Sequence, residues 1–401
     1  MVGSFPELSE TFILDQITGL VELGHSVSIF AERGPSGTEV HPDVERFGLR
    51  RVTRYELLPS RFAERLRRWP QVWRPTLPHF RALDVLRFGR DAASLRLVWS
   101  ASLVDGAGQF DIIQCHFGAL GRKAVLLRDI GALRGKIVTA FHGEDVTTYP
   151  RRFSGNVYAP LFARGDLFLP VSERWNDALV SLGCPPKRIR VHHMGVGLRN
   201  FAPPPPDAPR LAAPRIVTVA RLVEKKGIAD AIRAVAGINA NCEYVIVGDG
   251  PLRMELEELA RAEGVADRVR FIGPRQRREI ADLLRSATLF LAPSVTARDG
   301  DIEGIPVSIM EAMASALPVV STRHSAIPEL VADGASGFLV AEHDVGALRE
   351  RLLLLISNAE LCARMGAAGR RIVERDFDVD VLTSRLERTY QELVDGGGAR
   401  N

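Results

Sequence analysis

Short apolar runs alternate with longer stretches in which apolar positions recur every three or four residues, almost from one end of the chain to the other. The runs predict buried strands and the stretches predict amphipathic helices. Their alternation predicts an α/β protein of parallel sheets covered by helices. In the N-terminal half, strands are expected near Val27–Ala31, Asp111–Cys115, Lys136–Phe141, Leu167–Pro170 and Arg190–His192. A helix is expected from an N-cap at Ser9 to about Leu23, stopped by Gly24. The run PPPPDAP at 203–209 cannot continue a helix or lie in a central strand, so it reads as an extended linker. The pattern then restarts, with strands expected at Arg215–Ala220, Glu243–Val247, Val269–Ile272, Leu289–Ala292, Pro318–Ser321 and Gly337–Val340. Helices follow from about Val345, and GGGARN closes the chain as a fraying tail. The expected organisation is a first domain over 1–200, a linker over 201–213, a second domain over 214–375 and a closing helix and tail over 376–401. MVGSFPELSETF opens already at a strand-to-helix turn. The first strand is therefore expected either as a stump at Met1–Val2 or upstream of the recorded start.

Composition narrows the class. A chain of 401 residues can hold two domains, each with its own core. A hydrophobic share of 46% beside 25% charged residues reads as a soluble globular protein. The cysteines (Cys115, Cys184, Cys242, Cys362) are scattered without a C-x-x-C pair, which argues against a zinc ribbon or a disulfide framework and fits a reducing cytoplasm. No stretch reads as a signal peptide or as a bilayer-spanning run. A net charge of +3 is too small to point to nucleic acid. The charge is uneven, however. Twelve arginines stand between Arg50 and Arg96 against four acids, with Trp69, Trp73 and Phe80 among them. That segment is either a solvated helical face or a peripheral patch for an anionic membrane surface. RNA is a weaker third reading, with no recognisable motif beside the patch.

Candidate chemistry in the second half starts at Arg221 and Lys226, which follow the strand at 215–220. Ligands of open α/β sheets bind at that carboxyl edge, and a guanidinium fork with an ammonium suits phosphate oxygens. DGDIEGIPVSIMEAM then places Pro306 in a first helical turn, with the free amides of Val307 and Ser308 beside it to favour an anion. Glu303 precedes that helix and Glu311 lies inside it, so two carboxylates could accept hydrogen bonds from different sugar hydroxyls. Cations for a diphosphate with carboxylates for sugars fit a nucleotide-sugar better than a bare nucleotide. VGDGPLR at 247–253 fails as a dinucleotide fingerprint, because Arg253 stands where a third glycine is needed. It reads as a tight turn and disfavours a nicotinamide enzyme. Arg275 ends another strand, either beside a base or in a plain turn.

In the first half, His142 follows the strand at 136–141 directly, and His116 holds the analogous place on another strand. Asp145 lies close enough in sequence to orient an imidazole or meet hydroxyls. Gly3, expected at the first turn, would let backbone approach a diphosphate. Glu10, His116 and Asp145 are the acceptor-side candidates.

Together these pieces resemble the family 4 glycosyltransferases, retaining enzymes of the GT-B fold with two Rossmann-like domains. The resemblance spans nearly the whole chain and is strongest over 215–340. Within the family it is closest to bacterial exopolysaccharide enzymes of the colanic-acid and amylovoran type, in GSFPELSETFI at 3–13, FHGED and HHMGV. The resemblance implies that the family's E-x7-E motif falls on Glu303, which would contact the donor sugar, and Glu311, which would contact the ribose. It puts diphosphate binding on Arg221, Lys226 and the amides near Val307 and Ser308, and the active-site histidine on His142. Gly304 and Ile305 stand where the family commonly has Ser-Phe. The implied reaction is metal- and cofactor-independent hexose transfer from a nucleoside diphosphate sugar to a saccharide or lipid-linked saccharide. The implied place is the cytoplasm, at the inner face of the plasma membrane, with no nucleic-acid partner. A nucleotide-sugar epimerase on the same fold and an inactive scaffold of a polysaccharide-assembly complex are the alternatives.

Overall fold

The computed structural model describes residues 1–7, 10–35, 37, 40–153, 155–205 and 213–396. The expected N-cap at Ser9, most of the linker at 203–209 and the last five residues lie outside them; Pro203–Pro205 are exposed and belong to no helix or strand. The chain divides into two compact units, Met1–His192 together with Thr383–Asn401, and His193–Leu382. The later boundary falls inside the helix Val379–Asp395.

The first unit holds two three-stranded parallel sheets. One orders β1 (Val2–Ser4), β2 (Ile29–Arg33) and β3 (Thr53–Tyr55); the other orders β4 (Ile112–His116), β5 (Lys136–Phe141) and β6 (Leu167–Pro170). β1 is only three residues long, with Val2 paired to Ala31 and Ser4 to Arg33. Gly3 therefore lies within this strand and not in the turn after it, because its neighbours are held by β2. The helix Thr11–Glu22 is capped by Leu23, and Gly24 takes the left-handed φ of 92° that ends it. The strands of this unit differ from expectation in two places. Arg190–His192 forms no strand: Arg190 and His192 donate to Phe168 and Pro170 along β6, but regular pairing stops there. β3 was not expected, since its VTRYE context reads as polar.

The second unit is one six-stranded parallel sheet, ordered β12-β11-β10-β7-β8-β9. Its strands are β7 (Arg215–Val219), β8 (Glu243–Val247), β9 (Val269–Gly273), β10 (Leu289–Ala292), β11 (Val319–Thr322) and β12 (Gly337–Val340). All six match the expected runs within two residues. Central strands read as unbroken apolar runs because helices cover both faces. Phe290, Leu291, Val319 and Val320 are wholly buried. The strand order reverses between β7 and β10, the place where open α/β sheets bind ligands.

Candidate functional site

Chemistry in the second unit collects at that reversal. Lys226 ends a single 3-10 turn, Glu224–Lys226, in the loop after β7. Gly227 follows with φ 61°, and a Cβ there would meet the Pro293 carbonyl at 1.8 Å. Only glycine lets the loops after β7 and β10 touch, and Val295 donates to Lys225 O at 2.9 Å across the join. Each lysine of the first loop then meets an acid of the second. Lys226 Nζ lies 2.8 Å from Glu303 Oε1, and Lys225 Nζ 2.9 Å from Asp301 Oδ2.

Glu303 is buried, 6% exposed. Burial alone would raise its pKa, but the Lys226 and Lys225 charges outweigh it and hold the carboxyl below its usual range. Beyond the Lys226 ammonium, no donor among the described residues meets Oε1. The residue's backbone is gripped from behind. Its N–H donates to His324 Nε2 at 3.1 Å, and its carbonyl accepts from Ser325 Oγ at 2.6 Å. His324 Nδ1 in turn lies 2.6 Å from Glu342 Oε1, and Glu342 Oε2 accepts from the Thr296 amide at 2.8 Å.

The helix after Glu303 begins at Val307, with Pro306 as its extended N-cap (φ −71°, ψ 110°), so the proline stands one residue earlier than expected. Val307 and Ser308 are half-buried in its first turn, where amides have no preceding helical carbonyl to bond. Glu311 is buried one turn on. Arg221 is exposed, and its guanidinium has no ion pair or hydrogen bond among the described residues. Gly248 and Gly250 pack their backbones on Ala220 and Leu222, which makes VGDGPLR the tight turn expected. Arg275 is folded onto its own turn, donating to Pro274 O at 2.8 Å with Glu279 at 3.7 Å, which leaves the plain-turn reading in place.

The first unit has a different chemistry at its strand ends. His116 closes β4 and His142 follows β5. Their rings stack at 5.5 Å between centroids, with His116 Nδ1 3.3 Å from His142 Nε2. Phe12 and Phe117 flank His142 at 4.9 and 4.7 Å. Burial, followed by the nearby His192, pushes the His142 pKa down to about 3; burial and then His142 lower that of His116. Burial thus favours the neutral form of both rings, and among the described residues His142 Nδ1 has no hydrogen-bond partner. Asp145 does not orient the imidazole. Its oxygens accept from the amides of His142, Gly143 and Gly118 at 3.0, 2.9 and 3.1 Å, so it shapes the FHGED loop and is turned away from solvent. Burial raises its pKa to about 6 against those bonds. Glu10 is the N-cap residue of the first helix without a side-chain cap bond, its pKa raised to about 7 by burial and then by Glu7.

Known proteins resemble this chain over nearly its whole length. The family model for Glycosyltransferase Family 4 matches residues 9–199, and that for Glycosyl transferases group 1 matches 208–372. A putative colanic acid biosynthesis glycosyltransferase, WcaL, of Salmonella typhimurium is 40% identical over 97% of this chain and 98% of its own. The chain belongs to the family 4 glycosyltransferases. The amylovoran biosynthesis glycosyltransferase AmsK of Erwinia amylovora is 37% identical to this glycosyltransferase over the same shares. Among solved structures, Alr3699/HepE of Anabaena in complex with UDP-glucose superposes at a TM-score of 0.73 with 19% identity, covering 98% of this chain and 99% of that one. Sucrose-phosphate synthase of Thermosynechococcus elongatus gives 0.71 with 18% identity over 97% and 94%. These likenesses assign the GT-B fold, with parallel sheets in two Rossmann-like halves.

The sequence reading missed His324, Ser325, Glu342 and the Lys225–Asp301 pair. No spacing rule marks them, since they come from the ends of separate strands and meet only in the folded sheet.

Proposed function

We propose that this glycosyltransferase moves a hexose, with retention, from a nucleoside diphosphate sugar to a saccharide or lipid-linked saccharide in exopolysaccharide biosynthesis. The observation that carries the reading is the contact of Lys226 with the buried Glu303 beside the helix start at Val307. In this reading Arg221, Lys226 and the Val307 and Ser308 amides meet the charge that develops on the departing diphosphate. Glu303 offers its remaining acceptor capacity to a donor-sugar hydroxyl, and Glu311 serves the ribose. His142, neutral and with an open Nδ1, meets an uncharged hydroxyl in the first domain. No step in this scheme needs a metal or a resident cofactor. The pathway is read from the WcaL and AmsK relatives, whose names carry it.

The test is a panel of nucleotide-sugars scored by thermal shift and then by transfer. One donor should raise the melting temperature selectively. Product should form with EDTA present and only when a saccharide acceptor is added. Turnover of donor alone into an epimer would replace the reading with an epimerase. Loss of transfer on chelation would overturn metal independence.

Membrane contact belongs to the same proposal. Among the described residues no single helix is long and apolar enough to cross a bilayer. In the arginine-rich segment Arg65 turns inward, donating to the carbonyls of Pro59, Ser60 and Ser94, but the other eleven arginines are exposed. Leu57, Phe62, Leu66, Leu77, Phe80 and Leu86 are exposed among them, Leu57 at 74% and Leu86 fully. Exposed apolar side chains interspersed along the segment with exposed arginines fit an anionic lipid surface. The protein is expected to sediment with phosphatidylglycerol vesicles and not with phosphatidylcholine vesicles. A Leu57→Glu, Leu86→Glu double variant should stay in the supernatant.

A further inference from the structure

Residues 293–306 join β10 to the site helix and carry Glu303 across a stretch with no strand or helix of its own. A carboxylate on such a loop is placed well only if its backbone is held. Here both polar backbone groups of Glu303 are held by consecutive side chains from the end of β11. His324 takes its N–H and Ser325 grips its carbonyl. Ser325 adopts a left-handed φ of 48°, which is uncommon outside glycine and turns this pair toward the loop.

The hydrogen bonds also fix the protonation of His324. An imidazole nitrogen that accepts an amide N–H cannot carry a proton itself. Nε2 is therefore bare, and Nδ1 carries the hydrogen that it donates to Glu342. The ring is 1% exposed, so water does not compete for these bonds. Glu342, just after β12, uses its other oxygen on the Thr296 amide near the opposite end of the same loop. One carboxylate thus ties three strand ends together. The order is Thr296 of the β10 loop, Glu342 after β12, His324 after β11, and back to Glu303 of the β10 loop.

We infer that His324, oriented by Glu342, is the positioning residue that sets the Glu303 carboxylate for the donor sugar. The inference rests on the reading of Glu303 as the donor-sugar group. His324 touches no substrate in this scheme and acts through the backbone of Glu303. The hydrogen bond it accepts from the Glu303 amide anchors the loop where the chain turns toward Lys226. A loop released there by even 1 Å is expected to cost about 100-fold in rate.

Three variants separate positioning from a general loss of structure. His324→Phe keeps the ring and removes both hydrogen bonds. His324→Gln restores one acceptor and one donor on a planar group. Glu342→Gln leaves the ring in place but sets an amide donor against either the Nδ1–H or the Thr296 amide. UDP and GDP binding is measured by calorimetry, and turnover is followed with UDP-glucose and GDP-mannose as probes. His324→Phe and Glu342→Gln should lower kcat about 100-fold while the affinity for the nucleoside diphosphate stays within about twofold. His324→Gln should recover most of the loss. Equal falls in nucleotide affinity and kcat, or an unaffected kcat in His324→Phe, would overturn the inference.

A second measurement does not depend on the donor. Hydrogen exchange at the Glu303 and Thr296 amides should be slow in the wild type, fast in His324→Phe and slow again in His324→Gln. Exchange unchanged by His324→Phe would overturn the clamp. If the wild type binds and turns over no nucleotide-sugar of the panel while the exchange pattern holds, the donor-sugar reading falls and the clamp stands.

Discussion

The two units place their reactive side chains in the same structural position, just past the carboxyl ends of parallel strands, and give them opposite electrical character. In the second unit, opposite charges meet across the loops: Lys226 with Glu303 and Lys225 with Asp301. In the first, like groups meet. His116 and His142 stack in a buried aromatic setting and stay neutral. A site for a diphosphate needs fixed charge, which survives burial only when paired. A site for a hydroxyl needs a neutral polar atom, and an uncompensated buried imidazole is neutral of necessity. The fold supplies the same position twice, and the neighbours decide what each can bind.

The comparison breaks most clearly at Lys226. Lys226→Ala leaves Glu303 buried without its nearest cation and, on the proposed function, removes a contact to the diphosphate. Transfer is expected to fall by roughly 10³-fold, with weaker nucleotide binding, in steady-state kinetics and calorimetry. If the first unit serves the acceptor, His142→Ala should lower turnover by roughly 10²-fold and leave nucleotide affinity unchanged. A parallel loss of nucleotide binding would put His142 on the donor side and erase the distinction.

The smallest expected effect is on stability. Burial raises the Glu10 pKa to about 7 in the folded state, above its ordinary value of 4.5. The folded protein therefore holds that proton over a range in which the unfolded chain has lost it. Stability from this group is full below pH 4.5 and declines as pH rises through 7. Glu10→Gln cannot ionise, so it should raise the melting temperature at pH 8 and change it little at pH 4. An equal shift at both pH values would mean that burial of the charge is not the cause.

Much of this was legible beforehand for a physical reason. The six strands of the second unit are buried on both faces, so their apolar runs are unbroken and bounded by turns. β3 was missed because Thr53–Tyr55 lies in an arginine-rich stretch with no such run. Arg190–His192 was expected as a strand, but it only borders β6. Glu303 and Lys226 were each legible as candidates because a strand-turn-helix context accompanied them, but their meeting was not. Asp145 was misjudged: its position in FHGED shows a carboxylate near a histidine, and nothing in that spacing tells that three backbone amides claim it.

Local pattern determined the elements, the parallel class of the sheets and the residue types at each strand end, since burial periodicity and loop position are written along the chain. Partners were decided only when the sheet assembled. Whether a carboxylate meets an ammonium, an imidazole or an amide depends on which strand ends become neighbours, and β7 and β10 are adjacent in the sheet though far apart in sequence. Protonation followed from the same step, because pKa is set by burial and by charges a few ångströms away, and neither is a property of the residue alone.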